Sequence, residues 1–168
     1  VAGGTLYVGA FDLEARDPAT GERRWTFETD VDRGSLPAPT VASGTVYVPG
    51  SLGDPTLYAV GTGGEERWRV ETDADVDAPV AVADETVYVV DEESTVYALD
   101  TAGEERWRRT LGADVSRSAP AVANDRIYLG SWDGGVLALR TDDGTTDWRR
   151  DDGATEFRVG GPVAVTGE

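Results

Sequence analysis

Asp73, Asp75 and Asp77 alternate along one short segment, a spacing that can offer several carboxylate oxygens to a cation. An EF-type calcium loop also needs a glycine at its sharp turn and a distant glutamate, and neither falls in register, so the run reads as a solvated loop. Glu92–Glu93 and Asp142–Asp143 sit at expected hairpin tips and read the same way. Carboxylates paired across separate segments, as glycoside hydrolysis requires, cannot be argued from a linear chain. Arg33, Arg117 and Arg158 lie in connecting segments, with Asp77 in the remaining one. Clustered around a common mouth, these residues suit an anionic group or a peptide strand. Asp30, Asp114 and Glu156 also lie near enough in sequence to neutralise the three arginines locally.

The chain has no His, Cys or Met. That removes the commonest general base and transition-metal ligand, thiol nucleophiles, disulfides and cysteine-based zinc sites. No catalytic, cofactor-binding or metal-ligating residue is assigned. The 168 residues carry 32 acidic against 15 basic side chains, for a net charge of −17, and every basic residue is arginine. Nucleic acid is not expected as a partner, because phosphate binding needs clustered cations. No apolar run is long enough to span a bilayer. The chain begins at Val1 without a leader-like segment, so it is expected to be cut from a longer protein, with any signal or lipid anchor outside it. A lysine-free acidic surface spread over the whole chain resembles proteins of extreme halophiles, in which molar salt screens self-repulsion.

The elements that must position these residues are repeats. Trp25, Trp68, Trp107 and Trp148 recur at intervals of 43, 39 and 41 residues. Tyr7, Tyr47, Tyr88 and Tyr128 recur at 40, 41 and 40, and Pro39, Pro79, Pro120 and Pro162 at 40, 41 and 42. A period near 40 with several short strands predicts β-propeller blades. Each unit reads as four strands. The first (39–42, 79–82, 120–123) is apolar on both faces and is expected to be buried near an axis. The second (45–48, 86–89, 126–129) is β-branched and aromatic. The third covers 57–60, 96–99 or 136–139, and a glycine turn leads to a charged, outermost fourth strand carrying the tryptophan. No segment has helical periodicity.

Residues 15–25, with Ala15, Asp17, Thr20, Gly21 and Trp25, resemble the tryptophan-docking motif of pyrroloquinoline-quinone (PQQ)-type propeller repeats. The segments 59–68, 98–107 and 138–148 are similar but incomplete, keeping Gly64, Gly103 and Gly144. The resemblance implies a structural role for Trp25, Trp68, Trp107 and Trp148, each stacking on the neighbouring blade and donating its indole N–H there. Gly21, Gly64, Gly103 and Gly144 would supply the turn with positive φ. The family includes PQQ- and calcium-dependent quinoprotein dehydrogenases, many with an adjacent-cysteine disulfide against the quinone. It also includes non-catalytic assembly scaffolds such as barrel-assembly lipoproteins, which are commonly exported. Without cysteine, and with Asn124 as its only asparagine, this chain lacks the dehydrogenase signature. The expected function is therefore a non-catalytic binding or assembly scaffold without a cofactor, at an extracytoplasmic site. A dehydrogenase fragment and a purely structural half-ring are the alternatives.

The chain is read as one all-β domain over 1–168, with blades at about 1–28 plus 158–166, 36–71, 77–110 and 117–151. Residues 1–28 are expected to supply only a second, third and fourth strand, and 158–166 a spare innermost strand. That strand would close a four-bladed ring within the chain, or, as the preferred closure, an eight-bladed ring from two chains. Self-association or docking to further blades of a parent protein is expected either way.

Overall fold

The second and third strands of the repeats, such as Thr86–Val90 and Thr95–Asp100, are β-branched and aromatic runs that form the buried middle of each sheet. The computed structural model describes residues 2–31, 34–132 and 134–151. The regular structure among these residues is entirely β. β1 (Leu6–Gly9), β2 (Leu13–Arg16) and β3 (Arg23–Phe27) make a three-stranded sheet. Three four-stranded sheets follow. The second sheet holds β4 (Thr40–Ala42), β5 (Thr45–Pro49), β6 (Thr56–Gly61) and β7 (Glu66–Glu71). The third holds β8 (Ala81–Ala83), β9 (Thr86–Val90), β10 (Thr95–Asp100) and β11 (Glu105–Thr110). The fourth holds β12 (Ala121–Ala123), β13 (Arg126–Gly130), β14 (Gly135–Arg140) and β15 (Thr146–Asp151). Each sheet is a simple antiparallel meander, the strand order of a propeller blade.

The first hairpin of each four-stranded sheet closes through two residues with positive φ: Ser43–Gly44, Asp84–Glu85 and Asn124–Asp125. This is the turn whose twist matches the flanking strands. Gly3 and Gly4 repeat it, with φ of 55° and 72°, under an Ala2↔Thr5 bridge. Residues 1–28 supply three strands, and the isolated bridge places Ala2 in the slot that Ala42 fills in the second sheet. The expected spare strand at 158–166 lies outside the described residues.

Burial also departs from expectation. The innermost strands β4, β8 and β12 are only half-buried, whereas β5, β6 and β9 are buried throughout. An innermost strand is the edge of its own sheet and is covered by one neighbouring strand instead of two. The outermost strands β7, β11 and β15 are exposed except where the tryptophan side turns inward.

The chain divides into two compact units, Val1–Pro79 and Val80–Glu168. In the first, Leu13, Trp25 and Phe27 of the first sheet pack on Val46, Val48, Tyr58 and Val60 of the second. In the second, Tyr88, Val90, Val96 and Ala98 pack on Ile127, Leu129, Leu137 and Leu139. Each buried Val or Leu contributes about 1.5–3 kcal/mol relative to exposure, so these sheet pairs carry most of each unit's stability.

Candidate functional site

One structural site repeats in every sheet. Ala15, Ala59, Ala98 and Ala138 stand directly opposite Trp25, Trp68, Trp107 and Trp148 on one side. On the other side they face Tyr7, Tyr47, Tyr88 and Tyr128. The alanine methyl leaves room for the two rings to meet above it, at centroid distances of 5.9, 5.8, 6.2 and 6.0 Å. A register shift follows each alanine and sets the turn into the outermost strand. The sequence reading found the tyrosine and tryptophan periods separately. The alanine opposite both is the signal that joins them.

Trp25 Nε1 donates to the Thr62 carbonyl at 3.1 Å, and Trp107 Nε1 to the Thr141 carbonyl at 3.0 Å. Both acceptors lie in the glycine turn of the next sheet. A Cβ at Gly64 (φ +97°) would stand 3.0 Å from the Trp25 ring, and one at Gly144 (φ +69°) 2.5 Å from the Trp107 ring. Glycine there answers two constraints, the positive φ and the indole lying on the turn. Arg109 adds a bond to the Asp143 carbonyl at 3.3 Å. Gly21 and Gly103 adopt the same turn, with φ of 74° and 89°.

The other end of each sheet carries the connecting loops and the turns between second and third strands. Loop and turn are tied together: Leu36 N–H donates to the Ala10 carbonyl at 2.8 Å, and Trp132 N–H to the Asp114 carbonyl at 2.8 Å. Asp77 is half-buried in its loop and Arg117 is exposed. The Arg117 guanidinium stacks 5.9 Å over the Trp132 ring. Asp114 Oδ1 accepts from Ser116, and Asp30 pairs with Arg69 at 3.2 Å. Arg33, Arg158 and Glu156 lie outside the described residues. Asp75, from the alternating acidic run, accepts the Gly53 N–H at 2.6 Å. Two large apolar side chains, Phe11 at 61% exposure and Leu52 at 57%, stand in the equivalent turns of the first and second sheets. Sequence reading missed them, although one large apolar residue inside a polar turn is a legible signal.

Two buried polar constellations were also unforeseen. Tyr58 and Tyr97 each donate to a turn carboxylate at 2.8 Å, Asp54 and Asp91 respectively. On the facing strand Arg69 and Arg108 stack over the same rings at 5.3 and 5.6 Å. Burial pushes the Tyr58 phenol up to about 12, helped by its bond to Asp54 and opposed by the Asp30 N–H. In the first sheet Glu14 takes the position of Tyr58. Bonds from the Arg16 and then the Arg23 guanidinium hold its carboxyl below the usual range.

Among the described residues no three Asp, Glu, His or Cys side chains converge to hold a metal ion. Asn124 sits in the β12–β13 turn, at the opposite end of its sheet from Arg117. No helix among the described residues is long and apolar enough to cross a membrane.

No similar sequence is found among curated proteins. Among solved structures, BamB from Moraxella catarrhalis superposes with a TM-score of 0.75 at 17% identity, over 89% of this chain and 46% of that one. The computationally designed Ika8 protein gives a TM-score of 0.75 at 16% identity, over 90% and 47%. Quinohemoprotein alcohol dehydrogenase from Comamonas testosteroni gives 0.64 at 24% identity, over 75% and 22%. The chain thus spans about half the length of the first two and less of the third. These likenesses show the β-propeller fold. Residues 53–168 match the family model described as outer membrane protein assembly factor BamB, and the chain belongs to this family of PQQ-like propeller repeats.

Proposed function

We propose that this chain is a non-catalytic binding or assembly scaffold that engages an extended peptide through its loop-bearing end. The exposure of Phe11 and Leu52 in equivalent turns of neighbouring sheets carries this reading. Side chains of this size leave water only when something covers them, and the loops beneath are already fixed by backbone bonds. Asp77 and Arg117 lie at the same end of their own sheets and would contribute charge to recognition, as would Arg33 and Arg158. The description of the family, an outer membrane protein assembly factor, supports an assembly role and an extracytoplasmic site in this chain's host. The lysine-free, net −17 composition supports a halophilic host.

The test is binding of fluorescent extended peptides with alternating apolar residues, read by anisotropy in molar KCl. F11S/L52S is expected to weaken binding at least tenfold with an unchanged circular dichroism spectrum. Equal binding by the double variant would refute the reading. Adding PQQ with Ca²⁺ is expected to leave the absorption spectrum and melting temperature of the protein unchanged. A shift in either would favour the dehydrogenase-fragment alternative.

A further inference from the structure

Leu52 combines features that a solvated turn does not need. It is large, apolar and exposed, and its backbone takes the left-handed region (φ +56°) that such side chains avoid. A Cβ at Gly34 would collide with the Leu52 side chain, so the preceding loop is glycine where leucine lies on it. Both loops that border the turn are in place. The Ser51 hydroxyl donates to the Ser35 carbonyl at 3.3 Å, and the Gly53 N–H to Asp75 at 2.6 Å. A strained leucine displayed between two fixed loops points to a binding role. Phe11 joins the same patch. Leu36 N–H donates to the Ala10 carbonyl, next to Phe11, and Ser35 accepts from Ser51, next to Leu52. Two adjacent loop residues thus tie the two turns together within the first unit.

Each apolar anchor has a carboxylate beside it. Asp12 follows Phe11 directly, and its Oδ1 accepts the Thr29 N–H at 3.2 Å. Asp75 Oδ2 holds the residue after Leu52 through the Gly53 N–H. One oxygen of each is thus fixed on the backbone, and among the described residues the other oxygen accepts nothing. Glu14, Asp17, Asp30 and Glu66 of the same unit each pair with an arginine. Among the described residues no arginine pairs with Asp12 or Asp75.

We propose that the Phe11–Leu52 patch selects a cationic extended peptide, whose lysine or arginine side chains pair with Asp12 and Asp75 while its apolar side chains cover Phe11 and Leu52. The proposal rests on the peptide-scaffold reading above and adds the chemistry of the partner. Side chains two residues apart share one face of an extended strand, so apolar and cationic residues alternate along that face. Ion pairs at contact distance persist in molar salt, where the Debye length is ~3 Å, whereas attraction to the net charge of −17 is screened. A preference for cations that remains in molar KCl therefore belongs to the patch.

Fluorescent peptides that carry leucine and one other residue alternately along one face, with lysine, glutamine or glutamate as the other, are titrated in molar KCl and read by anisotropy. The lysine peptide is expected to bind roughly fivefold tighter than the glutamine peptide, and the glutamate peptide weakest. This comparison needs no variant. D12N/D75N keeps a side-chain oxygen for the Thr29 and Gly53 N–H groups and removes the charge, and is expected to bring the lysine peptide within about twofold of the glutamine peptide. D142N/D143N removes the same charge from the fourth sheet and is expected to leave the preference in place. Equal binding of the lysine and glutamine peptides by the wild type would overturn the proposal and leave the scaffold reading standing. Binding of none of the three would overturn both. A lysine preference that survives D12N/D75N, or that falls as far in D142N/D143N, would assign it to the net charge and also overturn the proposal.

Discussion

Arg126 Nε donates to Asp147 Oδ2 at 2.7 Å, and this pair replaces an arginine–threonine bond found in every other sheet. Arg24 reaches Thr5 at 2.8 Å, Arg67 reaches Thr45 at 2.6 Å, and Arg106 reaches Thr86 at 2.6 Å. In the fourth sheet the arginine has moved to the second strand and an acid stands before the tryptophan. The bond spans the same distance across the third strand, with its polarity reversed. D147R alone would set two arginines face to face and is expected to lower the melting temperature by roughly 1–3 °C, as for a partly exposed pair. R126T/D147R rebuilds the arrangement of the other sheets and is expected to recover the loss. Both differences should shrink in molar salt. A swap variant no more stable than D147R would show that the positions are not equivalent.

The Trp107 contact has separable parts. W107F keeps a ring against Tyr88 and loses the bond to the Thr141 carbonyl, an expected cost of about 1 kcal/mol. W107A also removes the ring and is expected to cost roughly 2–4 kcal/mol, below the full core range because the indole is half-exposed. G144A strains a positive φ and collides with the same ring, so its cost should fall when Trp107 is already alanine. Urea unfolding of the four proteins gives the coupling, and strict additivity would separate glycine from indole.

The blades were legible because tryptophan, tyrosine and proline mark the same period and because the second and third strands are continuous apolar runs. The tyrosine–alanine–tryptophan stack was legible only as periods, since contact across three strands needs the register. Asp54 and Asp91 were illegible for a different reason. Acids in turns are normally solvated, and what buries these two is a tyrosine on the following strand that turns its hydroxyl back into the hairpin. The mouth residues are mixed: Arg117 is placed over Trp132, and Arg33 and Arg158 fall outside the described residues.

The acid limb of stability should carry a signature of Glu14. Its carboxyl is held below 4.5 by the Arg16 guanidinium first and Arg23 next. A group depressed in the folded state stabilises above its unfolded value and loses that contribution as pH falls through the folded one. Wild-type stability is therefore expected to decline as pH drops below about 4.5. E14Q should start lower at neutral pH and decline less steeply. Parallel curves for the two proteins between pH 6 and pH 3 would remove Glu14 from this role.

Tyr58 sets the alkaline limb with the opposite sign. Its phenol ionises at about 12 in the folded chain, against 10.0 for a free tyrosine, chiefly because burial disfavours the anion. Its stabilising contribution is complete below pH 10, where both states are neutral. It is lost as pH rises from 10 through 12, because the unfolded chain ionises first. Absorbance titration near 295 nm should show a late component in the wild type that is missing from Y58F. The stability of Y58F should fall less between pH 10 and 12, though it starts lower because Asp54 loses its buried donor. If the late component persists in Y58F, the raised phenol belongs to another tyrosine. Tyr88 would be the next to test, since burial also raises it.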